Sequence, residues 1–159
     1  MLQRVQTLFL ALAVALLGGG LYFPLWASYL KETGEAQALY FYGHEHIVAG
    51  SNPVMENMPF AVLGVLSVIS ILIGIYELVS FKNRMFQMKL GMGNTMLMLL
   101  NLGLSIYFVF TNGKDWTVGP DTMYRAGIFM LMGAVVCNQI ATRFIKRDEE
   151  LVRSVDRIR

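Results

Sequence analysis

Polar side chains interrupt the apolar segments of this chain, and Glu77, Asn94 and Asn138 lie at similar depths. At 1.5 Å per residue of helix, each lies roughly 6–10 Å below the nearer end of its segment, so they form one layer. One acid and two amides predict a site for a proton, an ion or a partner's charge. The alternative is interhelical hydrogen bonding, with Glu77 reaching Lys82 or Arg84. A single shallow acid favours this alternative.

The stretch His44-Glu45-His46 is the one metal-like pattern in the sequence. If it is a strand, the two histidines point to one face and could share an ion. A structural zinc site needs about four ligands, and only Glu35 or Glu56 could be added. A solvated loop is therefore favoured, and we expect no metal site.

Motifs of the common catalytic and cofactor sites are absent from the sequence. There is no phosphate-binding P-loop, no Gly-rich dinucleotide motif, no HExxH and no GxSxG. Both histidines lie outside the apolar segments, so a transmembrane bis-histidine haem has no ligands. The single cysteine, Cys137, excludes an internal disulfide. We therefore expect no enzyme, no cofactor and no nucleic-acid partner.

The chain contains four long apolar segments, and three of them carry Glu77, Asn94 and Asn138. They cover about residues 5–26, 59–81, 88–110 and 123–144. Each is near the ~20 residues that cross ~30 Å of hydrocarbon as a helix. Hydrophobic residues make up 55% of the chain and charged residues only 15%, whereas soluble domains average about 25% charged. The sequence predicts an all-α fold, with four transmembrane helices in a single domain, residues 1–159.

Basic residues set the predicted orientation. Ten of the thirteen Lys and Arg residues lie before the first segment, between the second and third, or after the fourth. Even-numbered crossings place these stretches in one compartment, which the positive-inside rule identifies as the cytoplasm. We expect both termini in the cytoplasm and one sizeable extracytoplasmic loop, residues 27–58. That loop is too short for a core of its own, although residues 38–42 and 47–49 are compatible with a small hairpin over the helix ends.

The cytoplasmic tail, residues 145–159, is the most patterned stretch. Four apolar side chains at helical spacing form one face: Leu151, Val152, Val155 and Ile158. No helix breaker follows Phe144, so we expect the fourth helix to continue into the tail. From Arg143 onward there are six basic and four acidic side chains, too balanced for a strong polybasic lipid anchor. The apolar face predicts a protein cover: the loop at residues 82–89, a second copy or another protein.

Three segments resemble the pattern of a known family. Residues 1–7, M-L-Q-R-V-Q-T, resemble the M-I-Q-R-I-Q-T opening of a Bacteroidota family of four-helix membrane proteins, the domain of unknown function numbered 4293. Residues 81–87 resemble its F-K-N-R-x-x-Q element, and residues 145–159 resemble its I-x-x-D-E-x-L-V-R-S-x-D-R-L-R terminus. The resemblance implies an inner-membrane protein of a Bacteroidota bacterium with no assigned activity.

All three resembling segments are cytoplasmic in the predicted topology, so we expect them to form one partner-binding surface. Its residues are Arg4, Lys82, Asn83, Arg84, Leu151, Val152, Arg153, Val155, Asp156, Arg157 and Ile158. The leading expectation is a non-enzymatic accessory or scaffold subunit of a larger inner-membrane complex. Its partners would be the lipid bilayer and other inner-membrane proteins, and a homo-oligomer is compatible with the pattern. The alternative is a small transporter or ion-conducting protein using Glu77, Asn94 and Asn138.

Overall fold

The computed structural model describes residues 2–30, 34–48, 50–81, 83–112 and 123–156, with the backbone alone at 2–4 and 153–156. Four helices form a bundle: α1 (Leu2–Gly20), α2 (Ala61–Val79), α3 (Arg84–Asn112) and α4 (Ala126–Asp156). Helix α1 packs mainly against α4, and α3 packs against both α4 and α2. The first helix therefore ends at Gly20, before the predicted limit of Trp26, and the fourth continues well into the tail.

Five strands form one antiparallel sheet, so the prediction of an all-α fold is wrong. The strands are β1 (Trp26–Leu30), β2 (Glu35–Tyr40), β3 (Gly43–Ile47), β4 (Val54–Glu56) and β5 (Met123–Tyr124). Their order across the sheet is β4-β3-β2-β1-β5. Tyr40 pairs with Gly43, which leaves Phe41 and Tyr42 as the two-residue turn of a hairpin. The histidine stretch, predicted as the turn, lies within β3 instead.

The sheet is stable because it shares a core with the helix ends. Side chains of the sheet region and of the helices belong to one buried cluster, which includes Leu25, Trp26, Leu39, Phe41, Ala13, Leu17, Leu63, Met98 and Leu131. The loop is too short to build its own core, but it does not need one. The prediction of an all-α fold did not include this shared core, which stabilises the strands of the loop.

Gly127 allows α4 to approach the segment that joins α1 to β1. A Cβ at this position would stand 2.6 Å from the carbonyl oxygen of Phe23 and 2.8 Å from that of Pro24. The Gly127 N–H donates to the Pro24 carbonyl over 3.0 Å. A side chain at position 127 would therefore separate the sheet from the bundle.

The bundle has the reverse of a soluble protein's polarity. Large apolar side chains of the helices face outward, for example Leu72, Met96 and Phe129, while asparagines and Glu77 are buried between helices. Within the described residues, three helical stretches are long and apolar enough to cross a membrane: Ala61–Val79, Arg84–Asn112 and Ala126–Val152. Helix α1 supplies a shorter apolar stretch, Val5–Gly20. The chain is therefore a membrane protein with three candidate spanning helices.

Candidate functional site

One group of buried polar side chains lies near the end of the bundle where α2 ends and α3 begins. Glu77, in the last turn of α2, is fully buried. Asn94 on α3 and Asn138 on α4 are each 1% exposed. Thr142 lies one turn beyond Asn138 and is also buried. The structure therefore buries all three residues of the predicted layer. Glu77 and Asn138 meet at Gly91, and Asn94 lies beside Gly74 of α2.

Gly91 of α3 makes room for this polar cluster. A Cβ on Gly91 would stand 2.6 Å from Glu77 Oε1 and 2.5 Å from Thr142 Oγ1. The Gly91 carbonyl accepts hydrogen bonds from Asn138 Nδ2 at 2.8 Å and from Thr95 Oγ1 at 2.9 Å. The carboxyl group of α2 and the hydroxyl group of α4 therefore meet over the backbone of α3.

Hydrogen bonds orient two amides of the cluster. Asn138 Nδ2 donates both to the Gly91 carbonyl and to Thr95 Oγ1, the latter at 2.9 Å. Gln87 Nε2 donates to the backbone carbonyl of Glu77 at 3.1 Å. Because each NH2 group is engaged, each amide oxygen is the free end. Asn138 Oδ1 and Gln87 Oε1 have no hydrogen-bond partner among the described residues.

The cluster has more acceptors than donors. Both carboxyl oxygens of Glu77 and both ends of the Asn94 amide also have no hydrogen-bond partner within the described part of the chain. The Thr142 hydroxyl is not available as a donor, since it donates to the Asn138 backbone carbonyl at 2.9 Å. Buried oxygens are usually satisfied by a donor or a positive charge. The chemistry of this cluster therefore suits a proton, a hydrogen-bond donor or a cation.

Arg84, one of the two predicted partners of Glu77, is engaged elsewhere. Its guanidinium lies 3.0 Å from Asp148 Oδ2 and also donates to the Asp148 backbone carbonyl at 3.4 Å. Lys82, the other predicted partner, lies outside the described residues. Arg84 therefore does not form the predicted contact with Glu77.

A second polar contact joins α2 and α3 deeper in the bundle. Asn101 Nδ2 donates to the Leu63 carbonyl at 3.1 Å and to Ser67 Oγ at 2.8 Å. The Ser105 hydroxyl donates to the Asn101 backbone carbonyl at 2.8 Å. Hydrogen bonds of this kind hold membrane helices together, which gives Asn101 a structural role.

Sequence reasoning missed Gln87, Gly91, Thr95 and Thr142, although α3 carried a signal. Its buried face includes residues at alternating spacings of four and three: Gln87, Gly91, Asn94, Met98, Asn101 and Ser105. This is the heptad spacing of a helix face packed against other helices. Polar and small residues in that stripe, rather than apolar ones, mark the interior of a membrane bundle.

The predicted partner-binding surface is partly described. Asn83 Oδ1 accepts a hydrogen bond from the Phe86 N–H at 3.1 Å, which caps the start of α3. A groove of about 410 Å³ joins this start to the α4 extension. It is lined by Asn83, Arg84, Met85, Glu149 and Val152. The segment between α2 and α3 and the extension of α4, which the predicted topology places in the cytoplasm, are thus in contact.

Helix α4 continues as a helix to Asp156, as predicted for the tail. Its Leu151 and Val152 side chains are 51% and 45% exposed, so about half of each apolar side chain remains accessible. Seven members of the predicted surface have side chains or whole residues outside the described part: Arg4, Lys82, Arg153, Val155, Asp156, Arg157 and Ile158.

The histidines of β3 lie in the sheet, outside the helices. His44 is buried, and its ring centroid lies 5.7 Å from that of Phe60. Burial, and secondarily the charge of His46, lowers the pKa of His44 to about 4. Among the described residues, no three His, Cys, Asp or Glu side chains are grouped so that they could hold a metal ion.

Comparison with known proteins identifies the family of the chain. No curated protein matches the sequence. Residues 2–158 match the family described as domain of unknown function (DUF4293). That match includes the four helices, the sheet, the polar cluster and the groove. The chain therefore belongs to the DUF4293 family.

Proposed function

We propose that this protein is a non-enzymatic accessory or scaffold subunit of a larger protein complex in a bacterial inner membrane. The observation that carries the proposal is the exposed pair Leu151 and Val152 beside the groove between α3 and α4. Apolar side chains next to a groove favour association, because a partner that covers them removes apolar surface from water.

The chemistry of the groove supports an amphipathic helix as its occupant. Met85 and Val152 offer apolar contacts, and Asn83, Arg84 and Glu149 form the polar part of the lining. A helix with an apolar stripe and flanking polar side chains fits such a surface. The Arg84–Asp148 ion pair and the Asn83 cap hold the walls of the groove in place before a partner arrives.

In the proposed arrangement all four helices cross the membrane, both termini are cytoplasmic, and the sheet lies on the opposite side. The 19 residues of α1 extend about 28 Å at 1.5 Å per residue, close to the thickness of the hydrocarbon core. The basic residues Arg84, Arg143 and Arg147 lie towards the end of the bundle where α1 starts. The positive-inside rule therefore supports a cytoplasmic location for this end.

Photocrosslinking in native membranes tests the subunit proposal. A photoreactive amino acid at position 152 should give one discrete crosslinked product with another membrane protein, whereas the same amino acid at position 150 should give much less. Glu150 is a matched control because it is an exposed residue of the same helix and does not line the groove. Equal crosslinking at both positions, or no product at 152, would refute the proposal.

A second candidate function is the transport or conduction of a cation through the bundle. The observation that favours it is the buried Glu77 carboxyl group, whose oxygens have no hydrogen-bond partner among the described residues. Glu77 is fully buried, so transport would require the bundle to open. This requirement ranks the candidate below the subunit role, which needs no opening of the bundle.

Flux measurements in liposomes separate this candidate from the first. If Glu77 carries a cation, Glu77→Gln abolishes uptake of H⁺, Na⁺ or K⁺, while Glu150→Gln, the same change at an exposed site, leaves it intact. A wild-type protein that passes none of these ions would eliminate the candidate. Such a result would leave the crosslinking test of the subunit role unaffected.

A further inference from the structure

Two arginines of α4, Arg143 and Arg147, flank an apolar surface groove of about 260 Å³. Ile140 and Phe144 complete its lining. Side chains four residues apart lie on the same face of a helix, so both arginines line the same groove as Ile140 and Phe144. We propose that the groove binds an anionic phospholipid, with the phosphate on the two arginines and an acyl chain along Ile140 and Phe144.

Two of the acids near these arginines lie next to other cations. Asp148 binds Arg84 at 3.0 Å, and Glu150 lies 4.0 Å from Lys146. Neither Arg143 nor Arg147 has a hydrogen bond or an ion pair within the described part of the chain. Asp148 and Glu150 are therefore not the counter-ions of this arginine pair. The arginine pair keeps two positive charges available for an anion.

The position along α4 places the pair at headgroup level. Helix α4 starts at Ala126, and Arg143 lies roughly 26 Å further along the axis at 1.5 Å per residue. Arg147 lies about 6 Å beyond it, outside ~30 Å of hydrocarbon. Phosphates of the membrane surface occupy this depth, and arginine side chains reach towards them.

Helix α1 braces the apolar part of the groove. The ring of Phe144 stacks on that of Phe9, with centroids 6.0 Å apart and planes 21° apart. This contact holds the Phe144 ring against α1, so the apolar part of the groove has a defined shape. A phospholipid uses both the charged and the apolar part of the groove, whereas free phosphate would use the charged part alone. This combination identifies a lipid as the ligand.

Native mass spectrometry of the full chain with defined lipids tests the proposal. Wild-type protein should retain phosphatidylglycerol over phosphatidylcholine by roughly 10- to 30-fold, from two juxtamembrane charges. The double variant Arg143→Gln/Arg147→Gln should lose this preference. The control Lys89→Gln/Lys146→Gln removes the same total charge from exposed positions outside the groove and should keep it. Millimolar inorganic phosphate should not displace the lipid.

Three results would overturn the proposal. These are equal retention of the two lipids by the wild type, equal loss in the two double variants, and displacement of phosphatidylglycerol by phosphate. If the arginine double variant does not fold, Arg147→Gln alone serves as the test, because this exposed side chain has no partner among the described residues. The single variant should then lose part of the preference. The inference requires only that α4 crosses the membrane, so it stands or falls independently of the proposed partner.

Discussion

The Arg84 guanidinium lies 3.0 Å from the carboxylate of Asp148 and joins the start of α3 to the extension of α4. The two side chains are only 25% and 17% exposed, so water screens this pair less than a fully exposed one. The contact removes Arg84 as a counter-ion for the buried Glu77. It also holds one wall of the groove between α3 and α4. A single ion pair therefore affects both the polar cluster around Glu77 and this groove.

The first prediction is that Arg84 and Asp148 stabilise each other. In a double-mutant cycle with Arg84→Met and Asp148→Asn, we expect a coupling free energy of about 1 kcal/mol, above the typical value for fully exposed pairs. Thermal unfolding of the four proteins in one detergent measures it. The control is Lys146 and Glu150, which are 4.0 Å apart and each 66% exposed, and their coupling should be close to zero. Equal coupling in both pairs would contradict the prediction.

The second prediction concerns the space beside Gly91. Gly91→Ala would place a Cβ within 2.6 Å of Glu77 Oε1 and 2.5 Å of Thr142 Oγ1, so one helix must move. Overpacking of this kind costs about 1–3 kcal/mol. Gly93→Ala is the control, because nothing lies within 4 Å of a Cβ there. We expect a lower melting temperature for the first variant and an unchanged or higher one for the second.

The helices and the polar cluster differ in how far sequence alone could predict them. Long apolar segments predict α2, α3 and α4 because a bilayer sets the length of a spanning helix. Glu77, Asn94 and Asn138 were found because polar groups are costly in such segments and therefore stand out. Gly91 could not be predicted, because its role is to leave space for Glu77 of α2 and Thr142 of α4. That role is visible only when the positions of the two helices are known.

The sheet could not be predicted from the loop alone. Its strands have two to six residues, and β5 lies far along the chain from the other four. The apolar side chains that stabilise it, such as Leu39 and Phe41, are buried in the same cluster as Leu17 and Leu131 of the helices. Such long-range burial leaves no periodic signal within the loop, which is why a local reading gave a turn where β3 stands.

The third prediction contrasts two buried asparagines. Asn138 donates two hydrogen bonds, to the Gly91 carbonyl and to Thr95 Oγ1, whereas neither end of the Asn94 amide has a partner among the described residues. Asn138→Ala should therefore cost about 1–2 kcal/mol more than Asn94→Ala. The two changes remove the same atoms, so melting temperatures in one detergent compare them directly. A larger loss for Asn94→Ala would indicate that its amide binds a ligand or ion.

The fourth prediction is an acid-dependent loss of stability from His44. Its pKa is lowered from 6.5 to about 4, by burial first and by His46 second. Between pH 4 and pH 6.5 the unfolded chain binds more protons than the folded chain. The contribution of His44 to the free energy of unfolding is therefore fully present above pH 6.5 and is lost as the pH falls towards 4. At about 1.4 kcal/mol per pKa unit, the loss is on the order of 3 kcal/mol. Other groups also titrate in this range, so the comparison with a variant matters.

Melting temperatures between pH 7.5 and 4 test this prediction. His44→Gln should flatten the pH dependence relative to the wild type, because the group whose pKa differs between the two states is gone. His46→Gln should keep most of it, because burial of His44 is the larger cause of the shift. Identical profiles for the wild type and His44→Gln would show that other groups control the acid sensitivity.

The last prediction concerns the number of crossings, which depends on α1. If α1 spans the membrane together with the other three helices, the β3–β4 connection and the α4 extension lie on opposite sides. Cys137 is the only cysteine, so Cys137→Ser provides a background for single labels. Ser51→Cys should then react with an impermeant maleimide in intact cells, while Ser154→Cys should react only in inverted vesicles. If α1 lay along the surface instead, three crossings would place the two chain ends on opposite sides. A cysteine at Gln3 distinguishes these cases, because with four crossings it reacts on the same side as Ser154→Cys.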